Sequence, residues 1–255
     1  MKQEFSFLSL AVAMCFVATT TAHAEIAVFG PGGPAAPMKE AATAFEKETG
    51  IDVKVTSGPT AQWIGAAQTD ADVVYSGSQN MMDDFIGDHG SILADSVTPL
   101  YLRPSAILVR KGNPEAITGI ADLVERDLSI MVVDGAGQVG LWEDIVGRMR
   151  DVDAIAAFRA NIDVIAPNSG AALTTWAAEN TIDAFLIWNH WQIENVDLAD
   201  MVPTEPELTI YRDTSIALTE KGSGNRETAR FFDFLSGDQA AAIFNSHGWA
   251  KHIER

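Results

Sequence analysis

From Glu25 onward, short apolar runs alternate with amphipathic stretches, and this alternation constrains the fold more than any other feature of the chain. The first part of the pattern predicts strands at 26–29, 51–55 and 71–75, with helices at 37–49 and 61–68 between them. Pro37 suits the opening turn of the first helix, and Gly50 suits the position just past its end. Strands that alternate with helices in this way form a parallel α/β sheet.

The same alternation continues through the rest of the chain. It predicts buried strands at 105–109, 128–133 and 182–188, an extended segment at 208–218, and helices from about Leu141 and at 171–178, 225–235 and 239–245. This layout fits two α/β lobes joined by crossing strands near residues 100–106 and 203–214. We place lobe 1 at residues 25–103 plus 207–255 and lobe 2 at residues 104–206.

Residues 1–24 have the layout of a cleavable export signal. Lys2 precedes an apolar run over residues 5–17, and Ala22-His23-Ala24 supplies the small residues that signal peptidase reads. The apolar run is too short to span a bilayer, and the alternative of a buried N-terminal helix lacks a cap. We therefore expect cleavage after Ala24 and a periplasmic location.

Cysteine usage and charge exclude several classes of function. Cys15 is the only cysteine and lies inside the signal, and Met14 before it does not fit a lipoprotein site. We therefore expect no membrane anchor, no disulfide and no thiol nucleophile. The net charge of −18 argues against binding nucleic acid or an anionic membrane surface.

Several blocks of sequence resemble known families. The block from Phe232 to Phe244 (FDFLSGDQAAAIF), with Gly248-Trp249 after it, resembles the C-terminal signature of molybdate- and sulfate-type periplasmic binding proteins. A narrower resemblance, to the accessory colonization factor AcfC branch, is carried by blocks at 30–34, 57–60, 75–78, 101–105, 135–143 and 187–189, with Trp63. These blocks follow in order along nearly the whole chain after residue 24.

The resemblance implies a type II periplasmic-binding fold, with two Rossmann-like lobes that close on a ligand in the cleft between them. In the molybdate-type relatives, backbone N–H groups and hydroxyls at helix N-termini hold a tetrahedral oxyanion. The AcfC branch is similar to proteins that hold small phosphorylated or carboxylated anions. Candidate partners are therefore a small anionic ligand, the permease of an ABC-type transporter used for uptake or sensing, and a second copy of the chain as a homodimer.

The residues themselves point to the same chemistry. Four loops lie where ligands bind in α/β sheets, at the carboxyl ends of strands and before the next helix. Glycine lets backbone N–H groups approach an anion, and a helix N-terminus adds partial positive charge. We expect the loop contacts to be Gly32, Gly33, Ser57, Pro59, Thr60, Ser76, Gly77, Ser78, Gly135, Ala136, Gly137 and Gln138. The alternatives are that each glycine-rich loop is only a turn and that Ser57 and Thr60 only cap helices.

Three further side chains are candidates for the ligand site. Arg103 lies at the first crossing, where a guanidinium could bind a carboxylate or phosphate with two hydrogen bonds. Its alternative role is a salt bridge between the lobes. Arg212, at the return crossing, is a weaker candidate of the same kind. Asn189 follows a buried strand and could donate its amide to the ligand.

Enzymatic and cofactor functions find little support in the sequence. His190 invites a catalytic or metal role, but the five histidines are scattered and none forms a metal-ligand spacing. The 135–140 loop lacks the dinucleotide spacing, and Ser76 lies in no hydrolase elbow. We therefore expect neither metal nor cofactor, and a binding protein rather than an enzyme. Two alternatives stay open, a surface colonization factor or adhesin and an exported enzyme acting on phosphorylated or sulfated substrates.

Overall fold

The structure is a computed structural model that describes residues 25–253, apart from the side chain of Ala136. The expected export signal at 1–24 lies outside these residues. The strands are β1 (Ile26–Gly30), β2 (Val53–Ser57), β3 (Val73–Tyr75), β4 (Thr98–Val109), β5 (Ile130–Val133), β6 (Ile162–Ala166), β7 (Ala184–Trp188), β8 (Asp200–Pro203) and β9 (Tyr211–Leu218).

The helices alternate with these strands along most of the chain. They are α1 (Ala35–Thr49), α2 (Thr60–Asp70), α3 (Gln79–His89), α4 (Ile120–Glu125), α5 (Leu141–Gly147), α6 (Val152–Ala160), α7 (Ser169–Ala178), α8 (His190–Glu194), α9 (Glu220–Ser223), α10 (Arg226–Leu235) and α11 (Asp238–Ser246). Short 3-10 turns cover Ala94–Ser96 and Ala136–Gln138. Within residues 25–253, no helix has both the length and the apolar character needed to cross a membrane.

The strands form one sheet in the order β2-β1-β3-β9-β4-β7-β5-β6, with β8 paired to β4 beside this path. The outer parts are parallel, but β4 and β9 run antiparallel to their neighbours. The expected parallel pairing of the first three strands is confirmed, and the long strands β4 and β9 add antiparallel pairs to it. The physical reason is that the chain crosses the molecule once along β4 and returns along β9, so these two long strands run in opposite directions.

The crossing strand β4 joins the two halves of the sheet. Its first part, through Pro104, pairs with β9, and its last part, from Ser105, pairs with β7. The side chain of Arg103 therefore lies at the junction. Helix α1 shows how the flanking layer forms: Met38, Ala42 and Phe45 are buried at helical spacing, since this face packs against β2 and α11.

The buried side chains separate into distinct hydrophobic cores. One core contains residues between Ile107 and Ile210, and a second joins β1, α1, α10 and α11 and includes Trp249. A third, smaller core lies between α2 and α3. Leu208 packs in the first core although the predicted boundary assigns it to lobe 1. The lobe boundaries themselves stay a prediction.

Candidate ligand-binding site

A cavity of about 200 Å³ lies where the carboxyl ends of several strands meet the following helices. Loops before α1, α2, α3 and α7 all contribute to its wall, so several helix N-termini surround one space. The lining residues are Pro31, Gly32, Gly33, Pro34, Gly58, Pro59, Thr60, Gly77, Met81, Arg103, Gly135, Gly137, Gln138, Asn168, Ser169, Gly170 and Trp191. Backbone N–H groups and helix dipoles make such a space suited to an anion.

Arg103 is the charged side chain in the lining of this cavity. Its exposed fraction is 2%, and its Nη2 donates a hydrogen bond to the carbonyl oxygen of Gly77 at 2.8 Å. Its Nε has no hydrogen-bond partner among residues 25–253. Within the same residues the guanidinium also forms no ion pair with a carboxylate. The structure thus shows a buried cation without a counter-ion.

Glycines leave room for the guanidinium on the cavity side. A Cβ atom added to Gly33 would lie 3.0 Å from Arg103 Nη1. A Cβ atom on Gly77 would lie 3.4 Å from Nη2, and one on Gly137 would lie 3.2 Å from the same atom. Larger residues at these positions would crowd the charged group, which explains why backbone rather than side chains faces it on the cavity side.

Burial has an electrostatic cost for Arg103. Desolvation and then the charge of Arg212 lower the pKa of the guanidinium to about 9, and the carboxylates of Asp213 and Glu194 oppose this shift. A buried, unpaired charge is unfavourable unless a partner of opposite sign binds. An anion in the cavity would supply that partner.

The structure brings many of the predicted contacts to the cavity. Its lining contains the predicted residues Gly32, Gly33, Pro59, Thr60, Gly77, Arg103, Gly135, Gly137 and Gln138. The predicted alternative that Thr60 caps a helix finds no support, because Pro59 occupies the cap position of α2 without a side-chain hydrogen bond. Ala136 lies in the turn between Gly135 and Gly137, outside the lining.

Three predicted contacts, all of them serines, lie outside the cavity lining. Ser76 is fully buried and its hydroxyl bonds with that of Ser215 at 3.0 Å, while Ser78 caps α3 by accepting a hydrogen bond from the Met81 N–H. Ser57 ends β2 in register with Gly30, outside the cavity lining. These serines stabilise the loops from outside the cavity, and we omit their hydroxyls from the proposed ligand contacts.

Asn189 and Arg212 also have structural partners. The Asn189 amide donates to the carbonyl oxygen of Gly248 at 2.8 Å, and the residue lines a separate groove. Arg212 donates to the carbonyl oxygens of Gly137 and Val139 at 3.0 and 3.1 Å, and it pairs with Asp144 at 2.8 Å. Because these donors already have protein partners, we leave both residues out of the proposed ligand contacts. Arg212 instead anchors the glycine-rich loop before α5.

The structure adds contacts that the sequence reasoning missed. Asn168, Ser169 and Gly170 lie at the start of α7, where Asn168 Oδ1 accepts the Ala171 N–H at 2.9 Å. Gln138 Nε2 donates to the Ser169 hydroxyl at 3.0 Å, which joins this helix start to the 135–140 loop. The sequence does indicate this helix start, through the Asn-Ser-Gly run before α7. It was missed because β6, the strand before it, was not predicted.

His190 lies beside the cavity, where a Cβ atom added to the lining residue Gly33 would be 3.7 Å from its Nε2. Its ring is fully buried, and neither nitrogen has a hydrogen-bond partner in the described part of the chain. Burial, followed by the nearby charges of Arg103 and His247, lowers its pKa well below the usual value. Among residues 25–253 no cluster of histidine, cysteine and carboxylate side chains could hold a metal ion.

The mixed sheet, the two large cores and the cavity beside the crossing strands define a type II periplasmic-binding fold. Residues 26–250 match the model of a family described as bacterial extracellular solute-binding protein. The chain belongs to this family, and it is a binding protein rather than an enzyme. No curated protein sequence matches the chain. The AcfC branch is not identified by these matches and stays a prediction.

Solved structures agree with this assignment. PEB3 from Campylobacter jejuni is 35% identical, with a TM-score of 0.83 over 89% of this chain and 100% of that chain. A structure of L-phospholactate-bound PEB3 is equally identical over the same shares of the two chains, with a TM-score of 0.84.

More distant structures share the fold alone. The sulfate-binding protein SubI from Mycobacterium tuberculosis is 16% identical, with a TM-score of 0.71 over 89% of this chain and 86% of that chain. The molybdate-binding protein of Azotobacter vinelandii is 15% identical, with a TM-score of 0.65 over 89% of this chain and 100% of that chain.

Proposed function

We propose that this protein captures a small anion carrying a phosphate, sulfate or carboxylate group in the cavity beside Arg103. The observation that carries the proposal is the buried guanidinium without a carboxylate partner in residues 25–253. A folded chain tolerates such a charge poorly unless a ligand completes it. The surrounding helix N-termini favour the same sign of ligand.

The relatives support an organic anion over a bare oxyanion. L-phospholactate, bound in PEB3, carries both a phosphate and a carboxylate on a short carbon chain. In the present protein, Arg103 and the start of α7, with Ser169 and Gly170, both line the cavity. We propose that one anionic group of the ligand pairs with Arg103 and the other binds the N–H groups of these loops.

The acidic surface is compatible with this role. The net charge of −18 slows the encounter with an anion, and salt screens this repulsion. Once inside the cavity, the ligand interacts at short range with backbone dipoles and with Arg103, where water screens much less. Binding therefore depends on the local site rather than on the overall charge.

We further propose a periplasmic location and delivery of the anion to an ABC-type permease or a sensor. Membership in an extracellular solute-binding family and the predicted export signal support this role. The colonization-factor alternative keeps the same location but replaces delivery with adhesion. If a matching permease requires this protein for uptake of the anion, transport is favoured over adhesion.

The test is to measure ligand binding on the purified chain starting at Glu25. Sulfate, phosphate, phosphoglycerate, citrate and L-phospholactate are added one at a time, and the melting temperature is recorded, with a neutral sugar and a cationic amine as controls. An anion at about a hundredfold excess over its Kd should stabilise the fold by about 2.7 kcal/mol. If a sugar raises the melting temperature and no anion does, the proposed function is wrong.

A further inference from the structure

Two tryptophan rings enclose the guanidinium of Arg103. Its Cζ atom lies 4.6 Å from the ring centroid of Trp188 and 4.5 Å from that of Trp249. Both rings are fully buried. Trp188 ends β7, whereas Trp249 lies just past α11 near the end of the chain, so distant segments supply the two sides of this aromatic clamp.

The two rings also belong to different hydrophobic cores. Trp188 packs in the core that contains β5 and β7, and Trp249 packs in the core that contains α1 and α11. The clamp therefore forms only where the two halves of the molecule meet. A change in the relative position of the halves would alter the contact of at least one ring with Arg103.

The faces of the rings compensate in part for the lost hydration of the cation. An aromatic face carries partial negative charge, and a desolvated cation beside it is stabilised without a carboxylate. A carboxylate partner would neutralise Arg103 and compete with an anionic ligand, but a ring does neither. The clamp also fixes where the guanidinium lies, with its Nη atoms beside the cavity residues Gly33, Gly77 and Gly137.

We infer that Trp188 and Trp249 are positioning residues for the ligand: they hold the Arg103 guanidinium charged and directed at the cavity while leaving its charge free for an anion. This inference rests on the proposed function. It assigns to the two rings a role in affinity that is separate from their contribution to the apolar cores.

The experiment compares an aromatic with an aliphatic replacement at each position. Trp249→Phe and Trp188→Phe keep a ring face, whereas Trp249→Leu and Trp188→Leu keep an apolar side chain without one. Titration calorimetry gives the Kd for L-phospholactate and for sulfate, and a melting curve without ligand gives the stability of each variant. We expect each Leu variant to bind about tenfold more weakly than its Phe counterpart, at similar stability.

A matched control lies elsewhere in the chain. Trp176 is buried beneath Arg110, whose Cζ atom is 3.6 Å from the ring centroid, and neither residue lines the ligand cavity. Trp176→Phe and Trp176→Leu remove the same kinds of contact from a structural pair. Their melting temperatures should fall, and their affinities for the two anions should not change.

The outcomes separate the inference from the proposed function. If the unmodified chain binds neither anion nor any other tested anion, the proposed function fails and the inference fails with it. If the unmodified chain binds an anion and the folded Phe and Leu variants have equal affinity, only the inference is overturned. If the Trp249 variants do not fold, the Trp188 pair decides by the same comparison.

Discussion

At the scale of single residues, Arg103 combines deep burial with the lack of a carboxylate partner among residues 25–253. Arg103→Met keeps an apolar stem against Trp188 and Trp249 and removes the charge. We expect the melting temperature without ligand to stay unchanged or to rise, because an unpaired buried charge is lost. Anion binding should weaken by about 2–5 kcal/mol, since a charge-assisted pair disappears. Titration calorimetry and a melting curve without ligand measure the two effects.

Two further variants show how much of the affinity depends on the geometry of Arg103 and how much on a neighbouring hydroxyl. Arg103→Lys keeps the charge but cannot form two parallel hydrogen bonds to one anionic group. It should therefore bind more tightly than Arg103→Met and less tightly than the unmodified chain. Thr60→Ala removes one hydroxyl from the cavity wall and should weaken binding by no more than about 1 kcal/mol. If Arg103→Met binds the anion normally but melts at a much lower temperature, the arginine stabilises the fold and does not bind the ligand.

Glu194 is a second residue with an altered titration. Burial raises the pKa of its carboxyl from 4.5 to about 7, although the charges of His247 and Arg103 oppose the shift. The folded chain therefore binds this proton more tightly than the unfolded chain, so the free energy of unfolding should fall as pH rises from about 4.5 to about 7. Glu194→Gln should remove this dependence, which solvent screening of this partly exposed residue reduces to about 1 kcal/mol.

Urea unfolding at about pH 5 and about pH 8 measures the effect of Glu194. The nearby charged groups are His247, whose Nδ1 is 3.9 Å from the Glu194 carboxylate, and Glu40, which is 2.9 Å from His247 Nε2. Glu48→Gln on the exposed face of α1 serves as the matched control. An unchanged pH dependence in Glu194→Gln would assign the effect to another group.

At the scale of elements, the short turn Ala136–Gln138 brings the two sides of the cavity together. A Cβ atom on Gly137 would lie 3.2 Å from Arg103 Nη2 and 3.3 Å from the carbonyl oxygen of Gly77. Gly137→Ala should therefore displace Arg103 or separate the loops, and we expect it to weaken anion binding by about 1–3 kcal/mol. Titration calorimetry measures this change.

A glycine within a helix provides the control for that substitution. Gly65 is exposed in α2, and among residues 25–253 nothing outside its own stretch of helix lies within 4 Å of a Cβ added there. Gly65→Ala should stabilise the fold by about 0.5–1 kcal/mol through helix propensity and leave the affinity unchanged. Wild-type affinity in Gly137→Ala would contradict the close approach of the two loops.

At the scale of the whole molecule, β9 is tied to the loop before α5 through Arg212. The side chain bonds to the carbonyl oxygens of Gly137 and Val139 and pairs with Asp144. Arg212→Ala should release this loop from β9, so we expect the dissociation rate of the bound anion to rise by about tenfold. Stopped-flow measurements of tryptophan fluorescence give this rate.

Asp144→Asn removes the ion pair of Arg212 but keeps its hydrogen bonds to the carbonyl oxygens of the loop. The Asp144 side chain is 54% exposed, so its pair with Arg212 should contribute only about 0–1 kcal/mol. The carbonyl contacts stay intact in this variant, and the dissociation rate should change little. Equal effects of both substitutions would mean that the ion pair, rather than the loop anchor, controls release.

Much of the molecule was predictable from local patterns. The strands β1, β3 and β7 and the helices α1, α10 and α11 follow from apolar periodicity and from glycine and proline at their ends. The glycine-rich loops at the carboxyl ends of β1, β2 and β5 follow from the same reasoning. These features depend on residues close together in the chain, so the sequence alone determined them.

The tertiary structure decided which polar atoms remain free for a ligand. Asn189 bonds to Gly248 and Ser76 bonds to Ser215, and both partners are distant in sequence. Arg103 and Arg212 occupy facing positions on paired strands, yet only Arg212 finds a carboxylate among the described residues. No sequence pattern distinguishes these two arginines, because the satisfaction of a hydrogen-bonding or charged group depends on the segments that the fold packs around it.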